Sequence, residues 1–228
     1  MIRLTSELPE ISKPNAEHLK IKCLFDCYKD DDRALFWSQD GGRAFISMAD
    51  GNMTIRNKGG AVDELKEFVS VLSPDSIFSD YGTLRKLSLE NIKAVNVMYR
   101  KADISGETAG DSLSSREIYD ILNVKEFTLP EYPYFAVDFC RRLNYGYAEY
   151  YAVMDKCAAV SFNSGNYALL NGIVSREKGM GSRALKAILQ KNYDRGFLAC
   201  CTDELTEFYE KNGFKKLYKA GYWWKQRT

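Results

Sequence analysis

SREKGMGSRALKAILQ, Ser175 to Gln190, sets Gly179 and Gly181 two residues apart immediately before a run in which Leu185, Ile188 and Leu189 recur at helical spacing. Glycine inside a helix or strand costs about 0.5–1 kcal/mol relative to alanine, so a pair at a helix entrance marks a demand on the backbone. A tight turn would make that demand, and so would a ligand. First-turn amides have no intrahelical partners and the helix dipole adds partial positive charge, so a small-residue entrance after a strand suits an anion such as a pyrophosphate. A P-loop would need Gly-Lys-Ser/Thr after four intervening residues, and a dinucleotide site Gly-x-Gly-x-x-Gly with an acid about 20 positions on. Neither pattern is present.

Upstream of this stretch, SSREIYDILN and YPYFAVDFCRRLN read as helices, and YAEYYAVMD, CAAVSFNSG and NYALLNGIVS as three successive strands. Downstream come a strand GFLACCT, a helix DELTEFYEKNG and a terminal strand pair around KKLYKAGYWWK. The first half uses the same grammar. MIRLTSE is a strand, NAEHLKIKCLFDCY a helix with Leu19, Cys23 and Cys27 on one face, and RALFWSQ and RAFISMADGNMTIRN are strands broken by the turn signals DGG and ADGN. A helix AVDELKEFVSVL and a strand SIFSD follow; KAVNVMYRKAD either closes the first sheet or opens the second, and Asp103 to Ser115 suits an exposed loop.

RNKGGAVDELKEFV from Arg56 and REKGMGSRALKAIL from Arg176 align at an offset of 176 − 56 = 120, with Arg, Lys, Gly, Leu and Lys coincident. Ile77 and Phe78 then meet Phe197 and Leu198 at the same offset. An ancient duplication accounts for this; two unrelated loop-to-helix entries sharing common residues would be the alternative. The expected division is 1–104 and 105–228.

Composition limits the functions open to the chain. With 228 residues, 45% hydrophobic and 28% charged, it can bury a sizeable core. Its 32 basic and 31 acidic residues nearly balance, so no whole-chain field favours nucleic acid or an anionic membrane. The first residues lack the apolar core of a secretory signal, and no run approaches the roughly 18–20 apolar residues of a membrane span. Six cysteines without paired spacing fit free thiols in a reducing compartment, so a soluble cytoplasmic protein is expected. Cys23 and Cys27 lie four apart on one helix, but no second Cys/His pair completes a zinc set; no metal is expected.

Arg176-x-x-Gly179-x-Gly181 after a strand resembles the Gln/Arg-x-x-Gly-x-Gly/Ala signature of the GNAT acyl-CoA N-acyltransferases, and FYEKNGFKKL resembles that family's Phe-Tyr-x-x-x-Gly-Phe ending. The resemblance covers about Tyr147 to Lys225. It implies an α/β (α+β) fold of two GNAT-like mixed β-sheet units with flanking helices, the C-terminal one with a bulged strand, NYALLNGIVS, splayed from GFLACCT to leave an acyl-CoA cleft. By the same resemblance Lys178, Gly179, Met180, Gly181 and Ser182 would hold the pyrophosphate beside Arg176, and Ile173, Val174 and Ser175 would offer backbone groups to the pantetheine arm. The proline-containing loop usual before the arginine is missing, Ser175 leading directly into Arg176.

The implied activity is acetyl-CoA-dependent N-acetylation of a small-molecule or peptide amine, the amine attacking the thioester directly; a non-catalytic acyl-CoA-binding or regulatory module is the alternative. Tyr209, at the family's tyrosine position, would protonate the leaving thiolate, or else be a core aromatic on the face Leu205, Phe208, Tyr209. Glu149, Asp155 and Asp203 are candidate bases at strand ends, with a water relay as the alternative. His18 reads as a surface or helix-face residue, and Cys140, Cys157, Cys200 and Cys201 as small apolar residues rather than nucleophiles. The first half, with Arg56-x-x-Gly59-x-Ala61 but Leu89 opposite Tyr209, reads as a decayed copy or an independent α/β cap. Specificity would reside in Ser115 to Asn144. A homodimer is compatible with all of this.

Overall fold

The computed structural model describes residues 1–103, 106, 108–125, 127 and 129–226. Ile104, Ser105 and Glu107 of the expected loop lie outside the described residues, as do Glu126 and Thr128 of the expected specificity region, and the expected division at 104 and 105 falls there too.

The elements run β1 (Ile2–Leu4), α1 (Ala16–Tyr28), β2 (Ala34–Gln39), β3 (Ala44–Ala49), β4 (Asn52–Asn57), α2 (Val62–Leu72), β5 (Ser76–Asp80), α3 (Tyr81–Lys86), β6 (Lys93–Lys101), α4 (Ser115–Leu122), α5 (Tyr132–Asn144), β7 (Ala148–Val153), β8 (Cys157–Ser164), β9 (Tyr167–Ser175), α6 (Met180–Lys191), β10 (Gly196–Cys201), α7 (Thr206–Lys211) and β11 (Lys215–Trp224). Local chemistry sets many of these boundaries. The Asn15 side chain accepts from the His18 amide at 2.7 Å to start α1, and Ser114 with Glu117 forms a reciprocal cap on α4. Asp50 and Gly51, with φ of 46° and 74°, make the turn between β3 and β4 that two positive φ angles require.

Packing groups the chain into two compact units, Met1–Met98 with the segment from Cys200 onward, and Tyr99–Ala199. The first has strand order β1-β2-β3-β4-β5-β11-β6. β1 to β4 are antiparallel neighbours, β4 and β5 run parallel, and β11 returns antiparallel to β5 with Ala220 opposite Asp80 and Trp224 opposite Ser76. Its core joins Trp37, Ile46, Met53 and Ile77 to Leu65 and Val69 of α2 and Leu84 of α3. In α1 burial is not confined to the Leu19–Cys23–Cys27 face: Glu17, His18, Ile21, Lys22 and Phe25 are buried as well.

The second unit has order β10-β9-β8-β7, with β9 and β10 parallel and the other neighbours antiparallel. Ile118, Ile121 and Phe139 of α4 and α5 pack on Ala158 and Val160 of β8. At the end of α6, Asn192 donates to Ser161 Oγ at 3.0 Å. Ser161 has the opposite parity on β8, so α6 covers the other face.

Three local expectations change. DELTEFYEKNG opens as a 3-10 turn, Asp203–Leu205, before α7. The terminal pair is one continuous strand, β11, because Gly221 is a point of close approach rather than a turn: a Cβ there would meet Ile92 Cγ2 at 2.8 Å and Leu84 Cδ1 at 2.9 Å. α3 is additional, started by Asp80 Oδ1 accepting from the Thr83 amide at 2.8 Å.

Candidate acyl-CoA site

β9 carries an irregularity where the sequence resemblance implies a bulge. Its pairing with β8 steps from Gly172 opposite Val160 to Leu170 opposite Ser161, so Asn171 is the extra residue. On its other side β9 pairs with β10 only through Tyr167, Ala168 and Leu169, against Gly196, Phe197 and Leu198. β9 continues to Ser175, keeping β8 as its neighbour, with Ile173 opposite Ala159, Val174 opposite Ala158 and Ser175 opposite Cys157. The parallel pair therefore ends after the third of the nine residues of β9.

The turn into α6 is tied at its start and open at its crest. Arg176 N–H donates to the Lys156 carbonyl at 2.8 Å, its guanidinium to the Asp120 carbonyl at 3.0 Å, and Ser175 Oγ to the Glu177 carbonyl at 2.7 Å. Gly179 caps α6 with φ 86°, a conformation that favours glycine, and a Cβ placed on it would touch nothing within 4 Å. Met180 N–H reaches the Glu177 carbonyl at 3.2 Å, while the amides of Lys178, Gly179 and Gly181 have no partner among the described residues. No acidic side chain stands in the first turn. The result is a helix entrance with unclaimed donors, positive dipole charge and the exposed cations Lys178 and Arg183, suited to a phosphate-bearing ligand.

The corresponding loop of the first unit has the same backbone shape and a different chemistry. Gly59, three residues after Arg56, has φ 96° as Gly179 has 86°. There, however, Asn57 Oδ1 accepts from the Gly59 amide at 3.0 Å and the Gly60 amide at 2.7 Å, and Lys58 N–H donates to the Arg43 carbonyl at 2.7 Å. The register of β3 and β4 has no step. At the position of Asn57 the second unit has Glu177, whose side chain instead meets Lys156 at 3.3 Å.

Ile173, Val174, Ser175, Arg176, Lys178, Met180, Gly181 and Ser182 are thus contiguous in the second unit, whereas Tyr209 belongs to the first. Tyr209 is 3% exposed, its ring edge-on to Phe208 at 5.2 Å and Phe214 at 5.4 Å, and burial pushes its phenol above the usual range. It is a neutral hydroxyl at any physiological pH. Of the candidate bases, Asp203 accepts from Asn96 Nδ2 at 2.7 Å, which holds its carboxyl below the usual range. Such an acid stays ionised and takes up a proton poorly. Glu149 faces Lys191 at 3.9 Å, and Asp155 sits at a turn with φ 58°.

Burial raises the Cys157 thiol, takes Cys201 up to about 11 and Cys200 up to about 12. All three remain protonated at neutral pH, as expected of apolar residues. His18 is buried rather than at the surface, 2% exposed and stacked on Phe45, with its ring 3.0 Å from the Pro9 carbonyl. The sequence reading also missed a polar cluster in the first unit, Glu17 with Arg56, Asp80 and Tyr218. Only Arg56 stood out from its motif, since Glu17 and Tyr218 meet across 201 positions.

No family model and no curated protein sequence matches this chain. Solved structures do. A GCN5-related N-acetyltransferase from Sphaerobacter thermophilus is 9% identical over 90% of this chain and 90% of its own, with a TM-score of 0.54. A tandem GNAT protein from the clavulanic acid biosynthesis pathway is 13% identical over 93% of this chain and 89% of its own, also at 0.54. The likeness is one of fold: the chain has the GNAT fold, a mixed α/β architecture with flanking helices. No helix among the described residues is long and apolar enough to cross a membrane.

Proposed function

We infer that the GNAT fold here serves an acetyl-CoA-dependent N-acetyltransferase, which passes an acetyl group to a small-molecule or peptide amine by direct attack on the thioester. The observation that carries this reading is the bulged β9, parting from β10 after Leu169 and leading into a helix entrance where the amides of Lys178, Gly179 and Gly181 have no partner among the described residues. The residues fit the cosubstrate: Gly179, where a Cβ would meet nothing within 4 Å, leaves the backbone accessible, and the dipole of α6 favours a pyrophosphate. Bound acetyl-CoA supplies the activated acyl carbon. In this reading the amides from Lys178 to Ser182 hold its pyrophosphate, Ile173 to Ser175 give backbone groups to the pantetheine arm, and Arg176 pins the loop to α4. Tyr209 protonates the departing thiolate or hydrogen-bonds to it; burial keeps its phenol neutral and also makes it a weaker acid than a free phenol, which favours the hydrogen-bonding role. The hydrogen bond from Asn96, which lowers the proton affinity of Asp203, makes it the poorer base of the candidates.

A second reading, a non-catalytic acyl-CoA-binding module, is favoured by one observation: the phenol of Tyr209 is buried between two aromatic rings, as a core residue would be. Thiol release from acetyl-CoA, measured against a panel of small and peptide amines, separates the two. Release with at least one amine supports the enzyme, saturable binding of CoA without release supports the module, and no binding of CoA rejects both.

A further inference from the structure

The parallel pairing of β4 and β5 in the first unit also stops early, at Thr54 opposite Phe78. Beyond it β4 continues through Ile55, Arg56 and Asn57, and β5 through Ser79 and Asp80. Ser79 Oγ donates to the Ile55 carbonyl at 2.7 Å where the strands part. Past that point lies a cavity of about 160 Å³ lined by Asn15, Glu17, Arg56, Asn57, Asp80 and Tyr218. Every lining side chain is polar or charged. Liquid water takes about 30 Å³ per molecule, so the space equals roughly five waters.

Two of these side chains carry hydrogen-bonding capacity that no described residue meets. Glu17 is 1% exposed and its Oε1 has no partner; Arg56 is 7% exposed and its Nε has none. They do not satisfy each other, since no ion pair of 4 Å or less joins them. An unsatisfied buried polar atom costs about 1–3 kcal/mol, and more when it is charged. The cluster is nevertheless held in place. Tyr218 donates its hydroxyl proton to Glu17 Oε2 at 2.6 Å and accepts from the Ala16 amide at 2.8 Å and Asn15 Nδ2 at 3.3 Å. Asp80 is fixed by its cap on α3. Asn15, Asn57, Asp80 and Tyr218 are half-buried and give the cavity its opening.

We propose that this cavity binds a small zwitterion of α-amino-acid size, its carboxylate received by Arg56 and its ammonium by Glu17 and Asp80. The complement is read from the lining: a donor awaits an acceptor at Arg56 Nε, an acceptor awaits a donor at Glu17 Oε1, and the surrounding volume admits a few heavy atoms. Burial lowers the proton affinity of Arg56, which the nearby Glu17 charge offsets only in part, and raises that of Glu17; a ligand with opposite charges at its two ends would add compensation to both. A phosphate or pyrophosphate suits the cavity less, because two carboxylates face it and the neighbouring amides of Gly59 and Gly60 are already taken by Asn57. The site stands whether or not the second unit transfers acetyl groups.

The test is calorimetric titration of the full chain with the common L-α-amino acids at millimolar concentration. At least one should bind with a stoichiometry of one, while its amide, lacking the carboxylate, and its N-acetyl form, lacking the ammonium, should bind at least tenfold more weakly. Glu17→Gln and Arg56→Gln should each lower the affinity tenfold or more. Tyr218→Phe, which keeps the ring, should do so in part. If the two charge variants fail to fold, the comparison of the amide and N-acetyl forms on the wild type still decides. Absence of binding by every amino acid would leave a hydrated pocket and overturn the proposal. So would equal binding of the amide and N-acetyl forms, indifference of folded Glu17→Gln and Arg56→Gln, or displacement of the amino acid by CoA.

Discussion

Tyr209 shows how one side chain can satisfy two readings until its hydroxyl is removed. The ring packs edge-on against Phe208 and Phe214, and no side-chain hydrogen bond of the phenol is seen among the described residues. Tyr209→Phe should therefore keep the fold within about 1 kcal/mol of wild type, since it deletes no protein–protein hydrogen bond. If the hydroxyl protonates the thiolate, kcat should fall about 10²–10⁴-fold with CoA affinity little changed, because the proton moves only as the bond breaks. Wild-type turnover of a verified substrate would make Tyr209 a packing residue.

His18 offers a separate test at this scale. Burial first, and then the charges of Arg56, Lys58 and Lys22, take its imidazole from 6.5 to about 4. Between those values the folded state binds fewer protons than the unfolded chain, so stability is complete above about pH 6.5 and is lost as the pH falls toward 4. The ceiling is about 3 kcal/mol, reduced by water screening the charged ring. Glu17 works with the opposite sign, since burial makes its carboxyl take up a proton at a higher pH in the folded state than in the unfolded chain. His18→Phe preserves the stack on Phe45 and cannot titrate. Urea midpoints followed from pH 7 to 4.5 should fall more steeply for wild type than for this variant, and parallel curves would defeat the assignment.

At the scale of elements, the two glycine loops share residues and backbone conformation but differ in which amides are taken. Arg56 and Arg176, with Gly59 and Gly179 at positive φ, are common to both, and an alignment at 120 residues finds them. The bulge at Asn171 has no residue signature, and the Asn57 plug depends on one side chain folding back on two amides. These two features distinguish the loops structurally, and sequence spacing cannot show them. Matched charge reversals read the difference. Lys178→Glu and Gly181→Glu should each weaken CoA binding at least tenfold in a folded protein, by placing an anion beside unclaimed amides. Lys58→Glu should leave CoA affinity unchanged, with one CoA bound per chain. Two equivalent sites, or equal sensitivity of the two lysines, would mean that both loops serve the cosubstrate.

At the scale of the whole molecule, what was legible was periodic and what was not was long-range. Apart from α3, strands and helices from β2 to β10 follow from alternation, helical spacing and turn residues. The run KKLYKAGYWWK reads as a strand pair because the side chains that Gly221 approaches, Leu84 and Ile92, lie far away in sequence. The repeat likewise suggested a division near 104, while packing places the C-terminal strand with the N-terminal residues. β11 stands between β5 and β6 of the first unit.

A chain ending at residue 104 would lack that strand. It would expose the facing edges of β5 and β6, lose the Phe78–Tyr222 ring contact at 4.6 Å, and leave the buried Glu17 carboxyl without its Tyr218 donor. Removing one partner of a buried hydrogen bond costs about 1–3 kcal/mol, and the missing strand takes away a row of ladder bonds besides. We expect the fragment 1–104 to lack dispersed amide resonances and a cooperative urea transition. Appending residues 213–226 through a flexible glycine-serine linker should restore both, because the added segment carries β11 and its tyrosines. Cooperative unfolding of 1–104 alone would show that the first unit closes without β11, and that the repeat, rather than the packing, marks the folding unit.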